Sequence, residues 1–174
     1  AGHVTRYTYD SLDRIVLEQN ALGHTIGYEY DADSNLLAYT DQQGNRWDFE
    51  YDLDRFLTTV EMPDGGRYRY HYDEVGLLVE QSDPLDRLTT YAYDDAGRLT
   101  QETDPDGFTT RYGYDAQGRL TSLTDGVGNT IAYGYDELGR MVRDTDSLGH
   151  STAFEYDAVG NLAAMVDRMG RRIE

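Results

Sequence analysis

Aromatic and aliphatic residues recur along this chain at fixed places, with a period of 21 residues and no insertion or deletion. The most regular feature is a Tyr-Asp pair that returns eight times. Its tyrosines are Tyr9, Tyr30, Tyr51, Tyr72, Tyr93, Tyr114, Tyr135 and Tyr156. A strict period of this length is typical of an array in which each repeat is one supersecondary unit stacked on its neighbours.

Two further columns of the repeat predict β-strands. The residue two places before each of these tyrosines is also aromatic, and a spacing of two puts both rings on one face of a strand. An aliphatic column stands six residues after each tyrosine. It consists of Ile15, Leu36, Leu57, Leu78, Leu99, Leu120, Met141 and Leu162. The residue that follows it is usually β-branched, as Val16, Thr100 and Thr121 are, which favours strand over helix.

Two turns per repeat separate these strands, and both carry the pattern Asp-x-x-Gly. Asp at the first place of a type I turn accepts hydrogen bonds from the backbone ahead of it, and Gly at the fourth can adopt the left-handed conformation. The first turn follows the tyrosine, as in Asp94 to Gly97 and Asp115 to Gly118. The second comes ten residues later, as in Asp104 to Gly107 and Asp125 to Gly128.

A few repeats depart from this turn pattern without any change in the period. Asp13, Ser34 and Arg55 stand where the first turn has Gly in the other repeats. Asn20 and Met62 replace the Asp of the second turn. We interpret them as turns that tolerate other residues and expect no separate domain there.

Each repeat is therefore predicted to be one β-hairpin, and the chain an antiparallel meander of about sixteen strands. The fold class is all-β, with a sheet that curls into a spiral or barrel-like wall, since sheets of this size twist. If both turns were identical bulged loops, the Leu column would lie on the same face as the tyrosines across one turn and on the opposite face across the other. A one-residue difference between the turns or an extra bulge must resolve this, and we expect Tyr and Leu to share the inner face.

Composition narrows the possible functions. There are 33 acidic and 15 basic residues, a net charge of −18, so a nucleic-acid surface is not expected and a basic partner would suit the chain better. Cysteine is absent, which leaves no disulfide framework or thiolate metal site. No apolar run is long enough for a membrane span. Residues 1–174 are expected to be a single repeat array cut from a longer one at both ends.

Catalytic chemistry is hard to find in this pattern. His3, His24 and His150 share one repeat position with Asn and Phe, and His71 lies on a strand, so none is favoured as a catalyst. Asp104 and Asp106 offer two carboxylates in one turn, but calcium requires six to eight oxygens. Paired acids of a glycosidase would belong to repeating turns rather than to one cleft. We assign no catalytic, cofactor-binding or metal-binding residue and expect no cofactor.

The segments Tyr93 to Thr100 and Tyr114 to Thr121 resemble the Rhs or YD-repeat family, whose unit is Y-D-x-x-G-R-L. The resemblance covers the whole chain. It implies a hairpin array wound into a hollow shell, as in bacterial polymorphic toxins, insecticidal toxin complexes and teneurins. In the bacterial members the shell encloses a C-terminal toxin that is released by self-cleavage. The turns at Asp83 to Asp86 and Asp104 to Gly107 are ordinary repeat turns, so no self-cleaving aspartate is carried over.

The leading hypothesis from the resemblance is a secreted or cell-surface shell segment that shields a C-terminal toxin and helps deliver it, without enzymatic activity. Its partners would be the rest of the parent shell and the enclosed toxin. An extracellular adhesion module that binds carbohydrate or protein through exposed tyrosines is the alternative, and an enzyme is a third. Unpaired strands at the two ends of the array also predict self-association.

Overall fold

The computed structural model describes residues 4–174 and consists of β-strands joined by tight turns. His3 lies outside the described residues. The first eight strands are β1 Arg6–Tyr9, β2 Ile15–Gln19, β3 Thr25–Tyr30, β4 Leu36–Thr40, β5 Arg46–Tyr51, β6 Leu57–Glu61, β7 Arg67–Tyr72 and β8 Leu78–Ser82. The others are β9 Leu88–Tyr93, β10 Leu99–Thr103, β11 Thr109–Tyr114, β12 Leu120–Thr124, β13 Thr130–Tyr135, β14 Met141–Thr145, β15 Ser151–Tyr156, β16 Leu162–Val166 and β17 Arg172–Ile173.

The chain forms two compact units, residues 1–89 and 90–174. In the first unit, consecutive strands from β1 to β8 pair antiparallel. From β9 to β17, consecutive strands pair in the same way. The predicted all-β class, with one hairpin per 21 residues, is confirmed. Residues 4–174 contain seventeen strands rather than about sixteen, because β17 begins a ninth hairpin.

Both turns of a repeat have the same backbone hydrogen bonds, so a difference between the turns does not set the register. In the first turn of the sixth repeat the Asp115 N–H donates to the carbonyl of Arg119, and the Gly118 N–H donates to that of Asp115. In the second turn Asp125 and Asn129 pair likewise, and Gly128 donates to Asp125. Each is a type I turn closed by a left-handed residue.

The register is restored by an extra β-bulge. Tyr114 lies opposite Leu120, but the next pair is Gly113 with Ser122, so Thr121 is the additional residue. The same shift occurs in every described hairpin that a first turn closes, whereas within each unit the hairpins closed by second turns have a continuous register. Within each unit the bulge returns the tyrosines to one face, which confirms that Tyr and Leu share a face.

Neither unit has a buried core of large side chains. Among residues 4–174 only Ala38, Ser82, Thr89 and Ala164 are buried, and no large side chain is fully buried. Tyr and Leu side chains of the shared face are mostly half-buried against their neighbours in the same sheet. Stability must therefore come from contacts between adjacent strands and adjacent repeats, as in other repeat arrays.

Candidate functional site: the junctions between repeats

The aspartate of each Tyr-Asp pair organises the turn that follows it. Asp115 Oδ1 accepts hydrogen bonds from the backbone N–H groups of Gln117 and Arg119, both at 2.9 Å. Asp94 does the same with Ala96 and Arg98, at 2.9 and 3.0 Å. These bonds hold the chain in the turn and leave the second oxygen, Oδ2, available to another donor.

An arginine four residues later binds that second oxygen. Arg98 Nε lies 2.7 Å from Asp94 Oδ2, and Arg119 Nε lies 2.6 Å from Asp115 Oδ2. Both ion pairs are partly shielded from solvent, with about a third or less of each side chain exposed. The pKa of Asp94 is lowered, chiefly by the hydrogen bond from the Arg98 side chain and then by the one from its backbone N–H.

The same guanidinium group extends to the next repeat. Arg98 lies 4.9 Å from the ring centre of Tyr114, and Arg119 lies 4.7 Å from that of Tyr135. Arg98 also donates to the carbonyl oxygen of Asp115 at 3.2 Å. One arginine therefore joins the turn of its own repeat to the Tyr-Asp pair of the following one, through an ion pair, a cation–π contact and a hydrogen bond.

The tyrosine returns a hydrogen bond to the preceding repeat. Tyr114, Tyr135 and Tyr156 donate their hydroxyl protons to the carbonyl oxygens of Leu99, Leu120 and Met141, each at 2.8 Å. The acceptor belongs to the aliphatic column of the repeat before. We call this set of contacts between one repeat's Asp, Arg and Leu and the next repeat's Tyr and Asp the junction.

Junctions vary in the first unit. Arg14 makes the ion pair with Asp10, lies 4.8 Å from the ring centre of Tyr30 and donates to the carbonyl of Asp31 at 2.7 Å. Asn35 replaces the arginine in the next repeat and binds Asp31 Oδ2 at 2.8 Å, while Tyr51 still donates to Leu36. Phe56 replaces it in the third repeat and stacks on Tyr72 with ring centres 4.9 Å apart.

The sequence shows the columns of the repeat but not the contacts that their side chains make. The Arg of the Y-D-x-x-G-R-L unit has no evident partner in the sequence, since Arg98 and Tyr114 are sixteen residues apart and meet only through strand pairing. One signal was available, because Arg occurs at this place in the repeats that most closely follow the Y-D-x-x-G-R-L pattern. Tyr28 through Tyr156 are all half-buried, and among the described tyrosines only Tyr7 and Tyr9 in β1 are exposed.

The described histidines are all exposed. His150 is exposed, with Nδ1 3.3 Å from Asp146 Oδ2 in a second turn, and His24 and His71 are also exposed. Asp104 Oδ1 accepts the N–H groups of Asp106 and Phe108, so its first role is to close its turn. No group of three His, Cys, Asp or Glu side chains suited to a metal ion occurs within residues 4–174.

These observations define a class, a tandem β-hairpin repeat protein whose repeats are joined by Arg–Tyr–Asp junctions. A family model described as "Teneurin YD-shell" matches residues 2–172, and the chain belongs to this family. The match confirms the YD-repeat resemblance. A comparison with curated proteins gives no match. Among the residues that the structure describes, there is no helix long and apolar enough to cross a membrane.

Solved structures with a similar fold include a Tc holotoxin pore. The Photorhabdus luminescens Tc holotoxin pore, carrying the TccC3 mutation D651A, matches with a TM-score of 0.75 and 18% identity over 94% of this chain and 11% of that one. The TcdB2-TccC3-TEV crystal structure matches with a TM-score of 0.58 and 17% identity, at the same coverage. The chain thus spans about a tenth of the length of the structures it matches.

Proposed function

We propose that this chain is a wall segment of a YD-repeat shell that encloses a toxin polypeptide, shields it and helps deliver it. The observation that carries the proposal is the series of junctions, in which the arginines of four repeats tie each of those repeats to the next one at the first turn. The similar folds of the Tc holotoxin pore and of the TcdB2-TccC3-TEV structure support it.

The mechanism is steric. Neighbouring strands of a sheet lie about 4.8 Å apart and are joined by backbone hydrogen bonds, so the wall has no opening for a protease or a folded protein. The junctions add side-chain links at the first turns, where a strand end would otherwise fray. Because the polar groups at the junctions are engaged in holding the sheet, we propose no enzymatic activity for this segment.

The proposal places residues 1–174 within a longer repeat array that is secreted or displayed at the cell surface. Its partners would be the remaining shell and the enclosed chain. The carbohydrate-binding alternative depended on exposed tyrosines, whereas fourteen of the sixteen tyrosines are half-buried. We therefore do not propose a sugar-stacking face.

Limited proteolysis with mass spectrometry on the parent protein, with its natural flanking sequence, tests the proposal. We expect a C-terminal segment to be resistant to protease while the shell is intact, to remain bound to it, and to become sensitive once the shell is opened with denaturant. A parent protein in which every segment outside these repeats is cut at the same rate, with or without denaturant, would contradict encapsulation.

A further inference from the structure

The third junction differs from the four arginine junctions in the residue that contacts the next tyrosine. Phe56 occupies the arginine place, and its ring stacks on Tyr72 at 4.9 Å with an interplanar angle of 26°. The guanidinium groups of Arg14, Arg98, Arg119 and Arg140 lie 4.7 to 4.9 Å from their tyrosine rings. The phenylalanine thus replaces the stacking contact of the arginine but not its charge.

The two carboxylates at this junction lack the partner that their equivalents have. Asp52 Oδ1 closes its turn by accepting from the N–H groups of Asp54 and Phe56, and Asp73 Oδ1 accepts from Val75 and Leu77. Within residues 4–174 neither Oδ2 atom has a hydrogen-bond or ion-pair partner. In the complete junctions the corresponding oxygen of Asp94 or Asp115 is bound by arginine.

A cavity of about 490 Å³ opens between these two turns, within the first unit. Its wall contains the stacked rings of Phe56 and Tyr72 and the carboxylates of Asp52, Asp54, Asp73 and Glu74. The volume falls within the range of small-ligand pockets. An aromatic surface beside several carboxylates is suited to a flat cation, because the ring faces and the negative charges both stabilise the bound cation.

The aromatic part of the wall is held firmly in place. A Cβ built on Gly76 would lie 2.5 Å from Phe56 Cζ, so the glycine lets the ring lie close to the turn, and its positive φ of 85° favours glycine as well. The pKa of Tyr72 is raised, first by burial, then by Tyr70 and by the negative charge of Asp52. The negative charge of Asp52 therefore contributes to raising the pKa of Tyr72, whose ring forms part of the wall.

The other junctions of this chain indicate which ligand such a cavity takes. Successive first turns are two strands apart, about 9.6 Å, and one guanidinium spans that gap in the complete junctions. Arg98, for example, binds the carboxylate of Asp94 and the carbonyl of Asp115 at once. The third junction keeps the acceptors and the aromatic surface but has no guanidinium of its own.

We propose that the cavity between the turns at Asp52 and Asp73 binds an arginine side chain of a basic partner polypeptide, which supplies the cation that this junction lacks. The net charge of −18 favours such a partner over a second copy of this chain. The proposal goes beyond a wall function and does not depend on encapsulation, since it concerns binding at one site that interrupts the repeat.

Nuclear magnetic resonance titration of the full chain with the peptide acetyl-Gly-Arg-Gly-amide tests it. We expect saturable shifts at the amides of residues 73–76, and no such shifts with the same peptide carrying citrulline in place of arginine. Asp52→Asn and Asp73→Asn keep the oxygen that closes each turn but remove a charge, and should each weaken binding about fivefold or more. Phe56→Arg should abolish it by filling the junction from within.

Two matched variants control for net charge. Asp95→Asn removes one charge from a first turn of the second unit, and Phe108→Arg adds one beside a second turn, and neither should change the peptide affinity. The proposal is overturned if the shifts are spread over all acidic turns, if the citrulline peptide binds equally well, or if the control variants weaken binding as much as the cavity variants do.

Discussion

At the scale of single residues, the same few side chains perform linked tasks in the repeats that carry the arginine. Asp115 closes its turn with one oxygen and binds Arg119 with the other, and Arg119 then lies over Tyr135. The hydroxyl of Tyr135 in turn binds the carbonyl of Leu120. A change at one residue therefore affects both the turn of one repeat and its link to the next.

Tyr135→Phe tests the hydroxyl contribution alone. It removes the donor to Leu120 while keeping the ring under Arg119, and should lower the free energy of unfolding by about 1 kcal/mol. Urea unfolding monitored by circular dichroism measures this. Tyr9→Phe is the matched control, because Tyr9 is exposed and its hydroxyl has no described hydrogen-bond partner, so it should change stability very little.

Arg119→Lys tests the guanidinium. Lysine keeps the charge but cannot bind Asp115, the carbonyl of Asp136 and the face of Tyr135 in one planar arrangement. From the weakened cation–π contact we expect a loss of about 0.5 to 1 kcal/mol in the same unfolding experiment. Arg143→Lys, at an exposed arginine on a strand, is the control, and an equal loss in both variants would show that the junction geometry is unimportant.

At the scale of the hairpin, the turns fix both the strand spacing and the register. The left-handed place of the first turn is filled by Gly in the later repeats and by Asp13, Ser34 and Arg55 in the first three. These three residues have positive φ angles of 58°, 73° and 70°. The residues that replace glycine therefore keep the turn geometry, but a residue with a Cβ is strained at a positive φ, and this strain lowers the free energy of unfolding.

Arg55→Gly should raise the free energy of unfolding by about 0.5 to 1 kcal/mol, because it relieves that cost. The ion pair it removes, Arg55 with Asp33, is well exposed at both ends and adds little. Gly160→Ala makes the reverse change at the same place of the eighth repeat, where φ is 93° and an added Cβ meets no atom within 4 Å. It should destabilise by about 1 kcal/mol. Equal signs for the two variants would refute this explanation.

At the scale of the whole molecule, turn aspartates make stability depend on pH in acid. The pKa values of Asp41, Asp94 and Asp136 are below the usual value, chiefly through hydrogen bonds from the Asn45 side chain, the Arg98 side chain and the Arg140 backbone respectively. A carboxyl group whose pKa is lower in the folded than in the unfolded chain stabilises the fold above the unfolded value and loses this effect as pH falls.

The free energy of unfolding should therefore stay nearly constant between about pH 7 and pH 5 and fall below about pH 4. Eleven aspartates share this direction of shift, so the fall should be steep. Urea unfolding in about 0.5 M NaCl, which screens the repulsion within an acidic chain, measures it. Stability that rises continuously down to about pH 3 would show that relief of charge repulsion dominates instead.

The sequence alone determined the hairpin repeat, its two turns and the shared face of Tyr9 and Ile15, Tyr30 and Leu36, and their equivalents. It could do so because strand alternation and turn chemistry are local and repeat in phase eight times. The sequence left two solutions for the register, a one-residue difference between the turns or an extra bulge, since local preferences do not decide which residue is extra. Strand pairing placed the bulge at Thr121 and its equivalents. The contact of Arg98 with Tyr114 and that of Phe56 with Tyr72 likewise required the tertiary structure, because each joins residues sixteen apart on neighbouring hairpins.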